Sequence, residues 1–307
     1  MANILILGSE GFTGKHFLEY LKKNNLMHEC YLADRIPQNL IKKKNYYTID
    51  LRKKGEIASL IRNLKPAFIF NFAGIIYSKD LKEQISGNVI TTENLLSSII
   101  KIKNYNPKVL LIGTAAEYGI VDDSDIPISE TCKRRPMSNY GLSKFYMDKL
   151  AEKYIMNSDI RIFRTKTFNI MGPGMSEQLV VGAISMQIDK IIKKMQSRDL
   201  YIGNLDTERD FIDIRDVVAS YWKISNSDFI GEVFNIGSGK PTKIRNILNL
   251  FVKYSGLNIN IKQKKKLIKE NDPQCIYADI AKVRKLLKWN PEITLEESIK
   301  NIMSFKK

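Results

Sequence analysis

The sequence predicts an α/β fold: a doubly wound parallel sheet with helices on both faces, followed by a smaller C-terminal α/β lobe. Three observations carry this expectation. Short β-branched apolar runs alternate with longer helical patterns through the first half of the chain. With 307 residues, 44% of them hydrophobic, the chain can bury a sizeable core. A glycine-rich turn joins the first apolar run directly to the first helical pattern.

Taken in order, strands are expected at 4–7, 29–33, 46–49, 67–72, 109–112 and 161–164, each a short apolar run bounded by turn residues. Between them, apolar residues recur at helical spacing over 11–23, 55–63, 81–101 and 139–154. The strongest break follows Gly172-Pro173-Gly174. Beyond it the pattern loosens into helices and short strands such as 201–202 and 233–236, with an Asn290-Pro291 stop near the end. No repeat or low-complexity linker separates the halves. The expected division is a dinucleotide-binding region over 1–165, with a return at about 212–240, and a mainly substrate-binding lobe over 166–307.

The first turn reads Gly8-Ser9-Glu10-Gly11-Phe12-Thr13-Gly14. Glycines let the backbone approach a pyrophosphate closely, and a helix beginning there offers unpaired N–H groups and the positive end of its dipole. Asp34 ends the next strand, twenty positions past Gly14, where a carboxylate can bind a ribose hydroxyl. Together they predict a Rossmann-type dinucleotide site. Arg35 leaves the choice of dinucleotide open, because a guanidinium there can hold a 2′-phosphate by paired hydrogen bonds. Asp50-Leu51 follows the third strand beside the expected adenine, although a turn role fits it equally. Phe72, Ala73 and Gly74 form a strand end small enough for a cofactor to lie close.

Tyr140 and Lys144 lie four apart in Ser138-Asn139-Tyr140-Gly141-Leu142-Ser143-Lys144, so a helix puts both on one face. An ammonium held near a phenol is expected to lower its pKa and make it a proton shuttle. Alone, the spacing also fits an exposed amphipathic helix. The dinucleotide turn supplies a context for catalysis. Thr114, at the carboxyl end of an apolar strand, adds a hydroxyl to orient a carbonyl or alkoxide oxygen.

Bulk properties exclude several classes. Two histidines make a histidine triad or a multi-histidine metal site improbable, and three scattered cysteines point to reduced thiols in a cytoplasmic protein. The chain enters its first strand almost at once and has no apolar run near the roughly 18 residues of a spanning helix. Neither a secretory signal nor a membrane span is expected. The net charge of +16 comes from dispersed lysines, with small clusters at 42–44 and 264–266 that lack interleaved aromatics. It reads as a solvated face, and no nucleic-acid partner is expected.

In order and spacing, these motifs resemble the extended short-chain dehydrogenase/reductase family, in its nucleotide-sugar epimerase, dehydratase and reductase branch. The resemblance spans nearly the whole chain. Beyond the turn it rests on Asn71 to Gly74, Thr114 with Tyr118-Gly119, Pro127, Glu130, Tyr140 with Lys144, Phe168-Asn169, Arg209-Asp210-Phe211 and Trp289-Asn290-Pro291. It implies that Tyr140 is the general acid/base, Lys144 its modulator and a ribose ligand, and Thr114 the completing hydroxyl. It further implies that Asn169 and Arg209 bind the sugar-nucleotide diphosphate; for Arg209 an ion pair with Asp213 or Asp216 is the structural alternative. Lys269 and Asp272 occupy positions resembling a family Arg and Glu pair on the nucleotide, and Lys166 stands where the family shows arginine. A homodimer through the Tyr140 helix and the helix before it is implied as well.

Dehydratases of this branch carry an acidic residue two positions after the threonine; here Ala115 and Ala116 follow it, and Glu117 comes one place late, on the opposite side if the segment is extended. The resemblance is closest to the GDP-4-keto-6-deoxymannose reductases. It implies NADPH- or NADH-dependent reduction of a 4-keto sugar nucleotide, GDP-4-keto-6-deoxymannose to GDP-rhamnose, in deoxysugar and polysaccharide biosynthesis. The alternative is an NAD-dependent C4 epimerase with the same triad. A 4,6-dehydratase and a non-catalytic dinucleotide-binding regulator rank below both.

Overall fold

A computed structural model describes residues 3–26, 29–37, 40–41, 44–268 and 273–305. The chain divides into two compact units. The first comprises 1–120, 130–167 and 218–235; the second comprises 121–129, 168–217 and 236–307.

The first unit starts with β1 (Ile4–Leu7), α1 (Phe12–Lys23), β2 (Cys30–Asp34), β3 (Tyr46–Thr48), α2 (Lys54–Leu64) and β4 (Phe68–Asn71). A long helical stretch follows, made of α3 (Leu81–Ile85), a π-helical turn (Ser86–Ile90) and α4 (Thr91–Ile99). Then come β5 (Lys108–Thr114), a 3₁₀ turn (Ala115–Glu117), α5 (Asn139–Asn157) and β6 (Arg161–Thr167).

Among the described residues the main sheet has seven strands, β6-β5-β4-β1-β2-β3 with a later strand, β11 (Val233–Ile236), outside β6. Every pair from β3 to β6 is parallel. The order reverses at β1, the switch point beside which open sheets bind ligands. All four residues of β1 are fully buried, each worth about 2 kcal/mol relative to exposure. Leu5, Leu7, Ile69, Val109, Leu111 and Ile162 pack in one cluster with Ile57 and Ile61 of α2, Leu95 and Ile99 of α4, and Met147 of α5. On α1, the Phe17 ring meets that of Phe70 at 4.3 Å.

The expected strands and helices recur with ends shifted by a few residues. One difference has a physical cause. The stretch expected as one helix over 81–101 contains the π-helical turn, where Gly87 packs against Ile75 and Asn88 points into the protein. The strand at 233–236, which falls within the return expected at about 212–240, pairs in the main sheet beside β6.

The second unit holds β7 (Asn169–Met171), α6 (Val180–Ile192), β8 (Asp199–Ile202), β9 (Glu208–Arg209), β10 (Phe211–Asp213), β12 (Thr242–Lys243), α8 (Ile244–Ser255), β13 (Asn260–Gln263), β14 (Cys275–Ile276), α9 (Ala281–Leu287) and α10 (Leu295–Ser304). The helix between β10 and β11, α7 (Ile214–Ser225), has residues in both units. Ile184, Leu200, Ile247, Phe251 and Ile299 are buried. Asp210 pins this unit's loops: its carboxylate accepts N–H bonds from Ser238, Gly239 and Ala278. Among the described residues no helix is long and apolar enough to cross a membrane, and no cluster of ligating side chains could hold a metal ion.

Candidate active site

The turn after β1 closes where Gly8 adopts a left-handed conformation, φ +76°, which favours glycine. A Cβ there would stand 2.6 Å from the Ala73 nitrogen, so the residue also lets β1 and β4 end side by side. Gly14 lies under the turn: its Cβ would be 2.3 Å from the Gly8 carbonyl oxygen. Gly11 meets only that same oxygen, at 3.3 Å, and faces a cavity of about 600 Å³. Gly11 is also the N-cap of α1 and makes no side-chain cap, which leaves the first N–H groups of the helix open to a ligand. Phe12 and Thr13 open α1 half-buried and do not line the cavity.

Asp34, Arg35, Asp50 and Leu51 form the far wall of the cavity, and Phe72, Ala73 and Gly74 its floor. Each Asp34 oxygen accepts one backbone N–H, Oδ2 from Glu10 at 3.0 Å and Oδ1 from Arg35 at 2.7 Å. Lone pairs remain on both for a ribose hydroxyl. Arg35 is exposed at the rim. Asp50 is gripped by Arg52, with Nη2 at 2.5 Å from Oδ2, which holds its carboxyl down at about 2.

Two residues not singled out from the sequence support this wall and floor. Asn94 donates to the carbonyls of Leu51 and Arg52 at 2.9 and 3.1 Å. Asn88, in the π-helical turn, accepts the Ile75 N–H at 3.0 Å and donates to the Ile75 carbonyl, Gln84 and Ser143. No pattern along the chain singles them out, because Gln84, Thr91, Thr92, Ser97 and Ser98 of the same helical stretch are buried polar residues as well.

Thr114 ends β5, and Tyr140 and Lys144 lie one turn apart on α5. Ser138 caps that helix by accepting the Gly141 N–H at 3.0 Å. Gly141 in turn lets the helix start press on Ala116, whose carbonyl oxygen a Cβ would meet at 2.4 Å. The Thr114 hydroxyl lies close enough to the Tyr140 phenol to favour its ionised form. Lys144 is 7% exposed and donates to the Ile112 carbonyl at 2.9 Å. A Cβ on Gly74 would come within 3.6 Å of its Nζ, so the lysine lies directly beneath the cavity floor.

The electrostatics differ from the expectation of a lowered phenol pKa. Burial is the largest influence on Tyr140 and pushes its pKa up, Glu117 adds to the rise, and the Thr114 hydroxyl opposes it. Burial drives Lys144 down to about 8, assisted by Lys166 and opposed by Glu117. The phenol therefore keeps its proton at neutral pH.

The segment after Thr114 is a 3₁₀ turn and not extended, and it directs Glu117 inward, fully buried and ion-paired with Lys166. In the second unit Asn169 donates to the Asp210 carbonyl at 2.8 Å, and Arg209 donates to the Glu208 carbonyl at 2.7 Å. Asp213 is held by Arg215 and Ser298, and Asp216 accepts the N–H groups of Glu292 and Ile293. Lys269 and Asp272 lie outside the described residues.

A dinucleotide fits the first unit on its own geometry. The glycine cradle is open only toward the cavity, and two buried side-chain oxygens beside it, Ser9 Oγ and Asn71 Oδ1, have no protein partner.

Comparison with known proteins bears on which dinucleotide. Residues 5–302 match the family model described as GDP-mannose 4,6 dehydratase. The GDP-6-deoxy-D-mannose reductase of Pseudomonas aeruginosa is 26% identical over 98% of this chain and 96% of its own length. The GDP-6-deoxy-D-talose 4-dehydrogenase of Aggregatibacter actinomycetemcomitans is 28% identical, covering 97% of each. The solved structure of RMD from Pseudomonas aeruginosa complexed with NADPH superposes with a TM-score of 0.86, covering 99% of this chain and 98% of that one at 26% identity. With the fold, the cradle and a match over almost its full length, the chain belongs to the GDP-mannose 4,6-dehydratase family of extended short-chain dehydrogenases/reductases, and its cofactor is a nicotinamide dinucleotide.

Proposed function

We propose that this chain reduces the 4-keto group of a nucleotide-diphospho-4-keto-6-deoxy sugar with NADPH or NADH, converting GDP-4-keto-6-deoxymannose to GDP-rhamnose. One observation carries the reading: Tyr140, held protonated beside the Thr114 hydroxyl, has no second acid or base next to it on the segment after β5. Ala115 and Ala116 have no proton to exchange, and both Glu117 oxygens are engaged, one by the Thr114 N–H and one by Lys166. Elimination of water needs a further acid/base pair, whereas reduction of a ketone needs one proton donor. The names of the two curated relatives, both GDP-6-deoxyhexose redox enzymes, support the same choice.

The reduced nicotinamide, when bound, supplies the hydride. Tyr140 delivers the proton from its phenol oxygen to the C4 oxygen as charge develops there, and the Thr114 hydroxyl steadies that oxygen. Lys144 binds the ribose of the cofactor and stabilises the phenolate left behind. The first unit is the dinucleotide-binding domain and the second the sugar-nucleotide lobe, in which Asn169 and Arg209 hold the diphosphate and Lys269 and Asp272 the nucleotide's phosphate and ribose. A second copy packs against α5 and the helix before it, where Ile90, Tyr146 and Met156 are exposed.

The test is incubation with a panel of 4-keto-6-deoxy sugar nucleotides and each reduced cofactor, following nicotinamide absorbance and product configuration. Stoichiometric cofactor oxidation with formation of a 4-hydroxy sugar is expected. Inversion at C4 with tightly held NAD and no net oxidation would establish the epimerase instead.

A further inference from the structure

Behind the triad is a cluster of charged side chains that the proposed reaction does not use. Glu117 pairs with Lys166, and Lys166 with Asp148 at 3.0 Å. Arg134 touches Glu117, Asp148 and Glu152, and Arg164 bridges Asp148 and Glu152 at 3.3 and 3.1 Å. Glu117, Lys166 and Asp148 are almost wholly buried. A buried ion pair is weak evidence for stability, since well-packed apolar residues of similar volume often serve as well or better.

The pair's placement ties it to the triad. Lys166 lies across from Gly113 in the β5–β6 register, one residue before Thr114. Gly113 has no room for a side chain: a Cβ would stand 2.5 Å from Glu117 Oε1 and 3.2 Å from the Lys166 side chain. Glu117 Oε1 accepts the Thr114 N–H at 3.0 Å, while Thr114 Oγ1 accepts the Ala116 N–H at 3.3 Å, a reciprocal cap that fixes the turn bearing the hydroxyl.

We infer that the buried Glu117–Lys166 pair is the positioning unit of this active site, with Glu117 anchoring Thr114 and the two opposed charges setting the electric field at the Lys144 ammonium. This rests on the triad reading and not on the identity of the sugar. Both charges act on Lys144: Glu117 favours its charged form, and Lys166 disfavours it. Facing Tyr140 are Glu117, the Tyr77 phenol and the Thr114 hydroxyl. Facing Glu117 are Lys166 from β6, Asp148 from α5 and Arg134 from the segment before α5. Burial raises the Glu117 carboxyl, Asp148 adds to the rise, and Lys166 and the Thr114 N–H act against it by favouring the charged form. Neither member of the pair need touch the substrate.

The test is an NMR titration of Lys144 in the full-length, dinucleotide-free chain labelled with ¹³C-lysine, the signal being assigned by its loss in Lys144→Met. Glu117→Gln keeps an acceptor for the Thr114 N–H but removes the charge, and should lower the Lys144 midpoint by about one pH unit. Lys166→Met should raise it by a similar amount, and Lys166→Arg should return it to within about half a unit of wild type. Opposite shifts are the signature of a field, which a purely structural role would not produce. Midpoints that stay fixed, or shift in the same direction in both variants, overturn the inference. Should Glu117→Gln fail to fold, the comparison of Lys166→Met with Lys166→Arg alone decides. No sugar nucleotide enters the measurement, so its failure leaves the ketoreductase reading standing, and absence of turnover leaves this result untouched.

Discussion

Gly14→Ala tests whether the glycine turn is shaped for a dinucleotide. The added methyl would stand 2.3 Å from the Gly8 carbonyl oxygen, 2.8 Å from Ser9 Cα and 3.0 Å from the Ser9 carbonyl carbon. All three are backbone atoms, so no side chain can rotate aside. Restoring an ordinary contact near 3.4 Å moves the turn and α1 apart by about 1 Å. Overpacking of this kind costs about 1–3 kcal/mol, and alanine recovers up to about 1 kcal/mol as a better helix former. The net loss of stability is therefore about 0–3 kcal/mol. Binding suffers more, because an ångström displaces the N–H donors that face a pyrophosphate. Losing two charge-assisted hydrogen bonds at about 1.5 kcal/mol each weakens affinity about 100-fold. Fluorescence titration with NADPH, alongside urea unfolding, reads both effects. Gly11→Ala should leave the fold intact and weaken binding through bulk in the cradle alone. Gly55→Ala, with nothing within 4 Å on α2, should keep full affinity and gain up to about 1 kcal/mol. NADPH affinity within threefold of wild type in Gly14→Ala would refute the reasoning.

Tyr140→Phe removes only the phenol oxygen and should cut turnover by about 10²–10⁴-fold while leaving dinucleotide affinity nearly intact; turnover within tenfold of wild type sinks the assignment of the proton donor. Replacing Arg35 by a neutral residue should weaken NADPH more than NADH in parallel titrations, and equal effects mean that this guanidinium does not read a 2′-phosphate. Lys144, at about 8 in the folded chain against an ordinary 10.5, binds fewer protons folded than unfolded between those values, so its contribution to stability rises with pH across that window. Below about 8 both states hold the proton and the cost of burying the ammonium is full. Compared by urea unfolding from about pH 8 to about pH 10.5, Lys144→Met should therefore lose ground to wild type by on the order of 2–3 kcal/mol. A stability difference that is flat in pH contradicts the burial argument.

Much of the first unit was legible because its signals are local. A strand, a glycine turn and a helix within about twenty residues are weak evidence alone, but with Asp34 at the end of the next strand they predict a phosphate cradle. The hydroxyl at Thr114 and the Tyr140–Lys144 spacing were readable for the same reason, since strand ends and helix faces have fixed periods. The cradle supports Asn88 and Asn94 were not readable. They act through hydrogen bonds to residues 13 or more positions away, and one of them needs a π-helical turn that periodicity cannot signal. The excursion of 121–129 into the second unit left no mark in composition either.

The sequence by itself determined the fold class, the glycine turn after β1, the hydroxyl that ends β5 and the phenol and ammonium that share a face of α5, because short-range spacing sets which side chains share a face or a strand end. Tertiary structure alone decided their charge states. Proximity of Lys144 was expected to lower the Tyr140 pKa, but burial acts on both groups and keeps the phenol protonated while it weakens the lysine's hold on its own proton. It also decided the part played by Glu117. On paper this residue is a displaced dehydratase acid; in the fold, a 3₁₀ turn and a lysine from the neighbouring strand make it an anchor. Desolvation and long-range pairing depend on what surrounds a group in three dimensions, and no pattern along the chain records that.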